Sequence, residues 1–286
     1  MMNKVIFITG TSTGFGKLST ITLAQAGHTV IAGMRGTKGR NEAAARELGA
    51  MANVDVVEID VADDASVSTA FDVAFARHGR IDVLVNNAGV TGFGLLEAYS
   101  LDQIRRMFEV NFYGVVRTYQ AVLPAMRKAK RGLIINISTG ASGHTLPFMI
   151  PYFSSKFGVE SITEGLQSEL AQFGIENVTI QSGVYPTEMN DGSKSGVDAN
   201  KPQIVEEYQP VADQMANDIR TGLLSKMIQH EMNPQTIADG VLALVNMKEG
   251  TRPLRYPLDA IAEGTDVEFI NARAEIKARW LAKYSV

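Results

Sequence analysis

Six short runs rich in Val and Ile recur along the first 185 residues, and stretches long enough for helices separate most of them. The runs are Val5–Thr9, Thr29–Met34, Val54–Glu58, Asp82–Val85, Leu133–Ile137 and Val178–Gln181. They are nearly continuous in apolar character and do not alternate, which is the pattern of strands buried on both faces. Such strands need helices on both sides of their sheet, and parallel neighbours need long crossovers between them. The stretches Gly14–Ala26, Ala65–His78, Leu101–Lys128 and Tyr152–Phe173 supply those crossovers. Right-handed connections then give an α/β fold, a doubly wound parallel sheet flanked by helices.

The chain beyond Tyr185 reads differently. Residues 190–196 are rich in Gly, Ser, Asp and Asn and predict a loop. Helices are expected over Val205–Leu224 and Pro234–Asn246, and a helical tail over Glu268–Lys283 carries the only tryptophan, Trp280. A net charge of −4 gives no reason to expect nucleic acid or an anionic membrane as partner. The basic residues Lys38, Arg40 and Arg46 are interspersed with Glu42 and Glu47 and read as a solvated helix face. Cysteine is absent, so disulfides and thiolate chemistry are excluded. The histidines show no zinc-binding spacing, and no metal is expected. The apolar run near the N-terminus is too short for a signal segment, and no stretch reaches membrane-spanning length; a soluble cytoplasmic protein is the expectation.

The first strand runs into Thr9-Gly-Thr-Ser-Thr-Gly-Phe-Gly16. A glycine-rich turn between a strand and a helix lets main-chain N–H groups approach a pyrophosphate, and the helix dipole favours the negative charge. Gly10, Gly14 and Gly16 lack the Cβ that would block this approach. The second strand ends in Gly33-Met34-Arg35-Gly36, with no carboxylate where one would bind ribose hydroxyls. Arg35 there suits a 2′-phosphate in charge and geometry, so NADP(H) is expected over NAD(H), with NAD(H) still open.

Further motifs follow in order: Asp60 after the third strand, Asn86-Asn-Ala-Gly89 after the fourth, Asn111 in a helical stretch, and Tyr152-Phe-Ser-Ser-Lys156. Of the eight tyrosines, only Tyr152 has a lysine four residues later. Together with the glycine turn and Thr187, these motifs make residues 4–190 resemble the single-domain branch of the short-chain dehydrogenase/reductase family. The resemblance implies a Rossmann-type fold and interconversion of an alcohol and a carbonyl by hydride transfer. It implies cofactor contacts from Gly10, Ser12, Thr13, Gly14, Phe15 and Gly16. Further contacts are implied from Arg35, Asp60, Val61, Asn87, Ala88, Gly89, Gly183 and Thr187, with Tyr152 and Lys156 at the nicotinamide ribose. It also implies a small-molecule substrate, a homodimer or homotetramer, and a water held by Asn111 that relays protons from Lys156. On this reading one domain carries a core at about 4–190, a substrate flap at about 188–230 and an extension at about 250–286.

Hydride transfer to a carbonyl builds negative charge on its oxygen and requires a proton donor. Tyr152 and Lys156 lie one helical turn apart on the same side, and an ammonium beside a phenol lowers the phenol's pKa. The family places a serine thirteen residues before the tyrosine to orient the substrate. Thr139 stands at that position here, with Ser138 one residue earlier. Spacing favours Thr139, Ser138 comes second, and Ser142 is a third candidate because Gly140 and Gly143 make the loop pliable. Ser182-Gly183 replaces the family's Pro-Gly, and His144 is left outside the site as a loop residue. Met189, Val197, Ile204, Val205 and Tyr208 are apolar enough to line a substrate pocket. Two alternatives remain: an enoyl reductase, against which the close Tyr–Lys spacing argues, and an NADP-sensing protein of the same fold without turnover.

Overall fold

The computed structural model describes residues 3–189 and 196–284. All six expected strands form: β1 (Val5–Thr9), β2 (Thr29–Met34), β3 (Val54–Glu58), β4 (Val83–Asn86), β5 (Gly132–Thr139) and β6 (Ile175–Ser182). A seventh, β7 (Arg255–Leu258), was not legible in the sequence. It is short, begins with Arg and contains Pro257, which an edge strand tolerates. The strands are parallel in the order β3-β2-β1-β4-β5-β6-β7. The order reverses between β1 and β4, which opens a crevice beyond their C-terminal ends.

Helices α1 (Gly14–Gln25), α2 (Glu42–Gly49) and α3 (Asp64–His78) follow the first three strands. The stretch expected as one helix over Leu101–Lys128 is α4 (Leu101–Phe108) and α5 (Gly114–Ala129), joined by a π turn at Glu109–Tyr113. Helix α6 (Ile150–Ala171) follows β5. The helix expected over Val205–Leu224 is divided into α7 (Pro202–Glu207) and α8 (Val211–Gln229), because Pro210 interrupts it. Helices α9 (Gln235–Asn246) and α10 (Thr265–Ala282) complete the chain. The loop expected at 190–196 lies outside the described residues except for Gly196, which bridges to Thr91.

The unbroken apolar runs have a direct cause. Along β1, Phe7 faces a cluster with Ile31, Phe71, Leu84 and Val122, whereas Ile6 and Ile8 face a second cluster with Leu23, Val30, Val241 and Leu244. Each fully buried aliphatic side chain contributes about 1.5–3 kcal/mol. Between the sheet and helices α5 and α6 runs a buried polar network. Asn136 Nδ2 donates to Tyr119 Oη (2.8 Å) and Thr163 Oγ1 (3.0 Å), and Asn86 Nδ2 donates to Asn136 Oδ1 (2.9 Å). Tyr119 donates to Asn177 Oδ1 at 2.6 Å. Because an unpaired buried polar group is costly, this network fixes how both helices sit on the sheet.

Candidate active site

The cleft lies at the point where the strand order reverses. It encloses about 410 Å³ and is lined by the turn after β1, the ends of β2 to β6, and residues 187–189. This size suits small-molecule and cofactor sites. Gly10 and Gly14 have φ of +73° and +52°, in the left-handed region that favours glycine. A Cβ on Gly10 would stand 2.8 Å from Ala88 Cα, and one on Gly16 would stand 2.3 Å from the Gly10 oxygen. Asn87 Nδ2 donates to the carbonyls of Thr9 (2.9 Å) and Gly10 (3.0 Å), while Thr9 Oγ1 accepts from the N–H groups of Asn87 and Ala88 (both 3.1 Å). The Asn-Asn-Ala-Gly segment is therefore the mechanical partner of the glycine turn. Of the turn residues, Gly10, Ser12, Thr13, Gly14 and Phe15 line the cleft, and Gly16 is buried behind them.

At the other end, Arg35, Asp60 and Val61 line the cleft as expected. Arg35 Nη1 stands 3.3 Å from Asp60 Oδ2, both side chains 37% exposed, so this pair contributes little to stability. Arg40 and Asn41 also line the cleft, which the reading of this stretch as a solvated face missed. The turn at Gly36 (φ +63°) folds the chain back so that Arg40 packs against Gly36, and Asn41 Nδ2 donates to the Arg35 carbonyl at 2.6 Å. The Glu58 carboxylate accepts from the N–H groups of Gly36 and Thr37 (2.6 and 2.7 Å). Burial opposes its charge, but these bonds and the Thr37 hydroxyl outweigh that and hold its pKa below the ordinary value.

The chemical end brings together Ser138, Tyr152, Lys156, Gly89 and Thr187. Tyr152 is half-buried, and burial pushes its phenol up to about 12. Lys156 is buried, its ammonium pushed down to about 8 by desolvation, and its Nζ donates to the Ile137 carbonyl at 2.9 Å. The expected lowering of Tyr152 by Lys156 is thus not what this structure shows; desolvation dominates both groups. Asn111 is fully buried in the π turn, where Nδ2 donates to Val90 O and Ser155 Oγ (both 2.9 Å) and Oδ1 accepts from Val90 N (2.8 Å). It ties the segment after Gly89 to α6.

The two hydroxyl candidates are placed differently. Ser138 Oγ is buried at the cleft wall with no hydrogen-bond partner among the described residues. Thr139 Oγ1 instead accepts from Ala141 N at 3.4 Å and does not line the cleft. The side chain of Ser142 lies outside the described ones. A Cβ on Gly183 would point at Asp259 Oδ1, 2.3 Å away, and the adjacent Ser182 lines the cleft in its place. Of the residues expected in a substrate pocket, Met189 lines this cleft, Val197 is buried in the core, and Tyr208 turns outward to donate to Glu97 Oε2 at 2.7 Å. Among the described residues no group of acidic and histidine side chains is placed to hold a metal, and no helix is long and apolar enough to cross a membrane.

Comparison with known proteins agrees with this geometry. A family model described as short chain dehydrogenase matches residues 4–198. The 3-ketodihydrosphingosine reductase of Bacteroides thetaiotaomicron is 31% identical over 248 residues, covering 87% of this chain and 86% of its own. The crystal structure of a short-chain dehydrogenase from Streptomyces avermitilis aligns with a TM-score of 0.77 at 26% identity, covering 99% of this chain and 97% of that one. An alcohol dehydrogenase from the archaeon Thermococcus sibiricus, complexed with 5-hydroxy-NADP, aligns with a TM-score of 0.71 at 26% identity, covering 90% and 96% of the two chains. The chain belongs to the short-chain dehydrogenase family, as an oxidoreductase acting on CH–OH and C=O groups with a nicotinamide cofactor.

Proposed function

We propose that this enzyme reduces a ketone or aldehyde with NADP(H), reversibly, with Tyr152 as the proton donor. The observation that carries this reading is the meeting, in one cleft, of a Cβ-free phosphate cradle with Ser138, Tyr152 and Lys156. The residues fit a dinucleotide: Gly10, Ser12, Thr13 and Gly14 leave the cleft floor free of bulky side chains, a Cβ at Gly10 or Gly16 would unseat the turn from Ala88 and Asn87, and the buried Ser138 hydroxyl stands without a partner at the cleft wall. When bound, the cofactor supplies or accepts the hydride. Gly10 to Phe15 would hold its pyrophosphate, Arg35 and Arg40 a 2′-phosphate, and Asn87 to Gly89 with Thr187 the nicotinamide half. Lys156 would bind the nicotinamide ribose. A phenol held near 12 is fully protonated at neutral pH, which suits donation to a carbonyl oxygen.

Ser138 is the hydroxyl this geometry favours for orienting the carbonyl, although spacing favours Thr139. Ser138→Ala is expected to lower kcat by about 100-fold and Thr139→Ala by less than about tenfold. Steady-state kinetics on both variants with one carbonyl substrate decide between them, and the reverse ranking would return the role to Thr139.

NADP(H) preference rests on Arg35, with Arg40 lining the same cleft. The test is oxidation of NADPH and NADH in parallel against a panel of ketones and aldehydes. Arg35→Ser should raise KM for NADPH about tenfold or more while leaving that for NADH nearly unchanged, as loss of a charge-assisted phosphate contact requires. Equal changes with both cofactors would show that Arg35 does not read the phosphate. Cofactor binding without turnover on any carbonyl would favour the sensor reading.

A further inference from the structure

The turn after β5, residues 140–143, is walled on its outer side by the C-terminal extension. Neither Gly140 nor Gly143 has a positive φ, so backbone angle does not explain them. For Gly143 the environment does. A Cβ on Gly143 would stand 2.4 Å from Phe269 Cε1 and 3.0 Å from Cζ, and one on Gly140 would stand 3.5 Å from Asp259 Oδ2. His144 meets the Phe269 ring edge-on, with centroids 6.0 Å apart. On its inner side the turn is held by Thr139 Oγ1, which accepts from Ala141 N, and by His144 N, which donates to Ala141 O at 3.3 Å. Of the two glycines expected to make this loop pliable, Gly143 is therefore a site of close approach, whereas Gly140 has room for a Cβ at ordinary van der Waals distance.

Helix α10, which carries Phe269, buries none of its residues, so it is not held by a core of its own. It is held by charge. Lys277 Nζ lies 2.6 Å from Glu164 Oε1, and Arg273 Nη2 lies 3.0 Å from Glu164 Oε2. Arg255 of β7 also pairs with Glu164, and its Nε lies 3.0 Å from Glu160 Oε2. Glu160 and Glu164 stand one and two turns beyond Lys156 on α6. Burial opposes the Glu164 charge, but Lys277 and Arg255 overcome it and hold the carboxyl at about 2. The Glu164 carboxylate thus keeps its charge far below neutral pH. One end of α10 is fastened to the helix of Tyr152 and Lys156, and the other presses an aromatic ring on the turn that follows Ser138.

We infer that Phe269 is a positioning residue: α10 seats its ring on Gly143 and His144 and so fixes the turn that continues from the hydroxyl-bearing end of β5, Ser138 and Thr139. This rests on the carbonyl-reductase reading for its kinetic consequence, but not for its structural one. The test uses full-length Phe269→Ala, Phe269→Tyr and Gly143→Ala proteins. Hydrogen exchange of the amides at 140–145 is measured without ligand, and kcat and KM are measured with NADPH and one carbonyl. Phe269→Ala is expected to speed exchange across the turn about tenfold. It should lower kcat/KM for the carbonyl about tenfold, because small displacements of a positioning group are costly. KM for NADPH should stay within about twofold, since the cofactor cradle is untouched. Phe269→Tyr keeps the ring and restores both values, and Gly143→Ala reproduces the defect from the opposite side. Unchanged exchange in Phe269→Ala overturns the inference, as does faster exchange with kcat/KM intact. If the natural protein reduces no carbonyl, the proposed function falls, while the exchange measurement still decides whether Phe269 fixes the turn.

Discussion

Tyr152→Phe is expected to lower kcat about 1000-fold while cofactor affinity changes less than about threefold. The substitution deletes one hydroxyl and keeps the ring that packs against Phe153, with centroids 5.4 Å apart. Nothing in the glycine turn, the Asn87 contacts or the Arg35 region depends on that oxygen. General acid catalysis by a positioned side chain contributes about 10² to 10⁴ in rate, and stabilisation of the developing alkoxide adds to it. Cofactor fluorescence titration and turnover on the same preparation separate the two effects. A variant that retains more than about a tenth of the activity would remove Tyr152 from the chemistry.

Lys156→Met should abolish turnover to a similar extent and, unlike most losses of a catalytic group, should not destabilise the protein in proportion. The buried ammonium holds its proton less tightly in the folded chain, at about 8, than at its ordinary value of 10.5. The unfolded chain therefore binds more protons between pH 8 and 10.5, and this group makes stability rise with pH across that window. Below pH 8 the full penalty is present, on the order of 3 kcal/mol. Methionine removes that penalty but leaves the Ile137 carbonyl without its partner, a loss of about 1–3 kcal/mol. The net change at pH 7 is expected to be small. The decisive quantity is the pH dependence: between pH 7 and 9.5 the natural protein should gain about 2 kcal/mol relative to the variant. Urea unfolding at the two pH values measures it. The window stops there because the raised tyrosines, Tyr152 among them, make stability fall with pH above about 10. Parallel pH responses in the two proteins would contradict a desolvated Lys156.

The inner strands were legible because they bury both faces, so no alternation had to be resolved, and the edge strand β3 was legible from its Val residues despite being only partly buried. β7 was not, because the burial of Arg255 depends on Glu160 and Glu164, which lie some ninety residues away in sequence. The glycine turn, Tyr152 and Lys156 announced themselves by residue type and order. The two hydroxyl candidates were not separable in that way, since successive strand residues point to opposite faces and spacing alone does not say which face looks into the cleft. Ser138 shares a face of β5 with Asn136, which is bonded to Thr163 of α6; Thr139 faces the other way. Arg40 was missed for a similar reason. Its helix-like surroundings described the chain after it, whereas the left-handed turn at Gly36 governs where it points. A second arginine a few residues after a glycine at a strand end was the available signal.

The lock between Asn87, Thr9 and the two glycines has a consequence for how this enzyme tolerates change. Three chain segments meet there within van der Waals reach, so a substitution at any one of them must be answered by the others. Arg35, by contrast, sits in the open at the rim, with only a half-exposed ion pair to Asp60 to lose. On the proposed function, the cradle that would serve either dinucleotide is interlocked and resistant to drift, whereas the position proposed to read the 2′-phosphate is free to vary. Cofactor choice, on that proposal, is the adjustable part of this protein, and the glycine cradle is the part that its fold holds fixed.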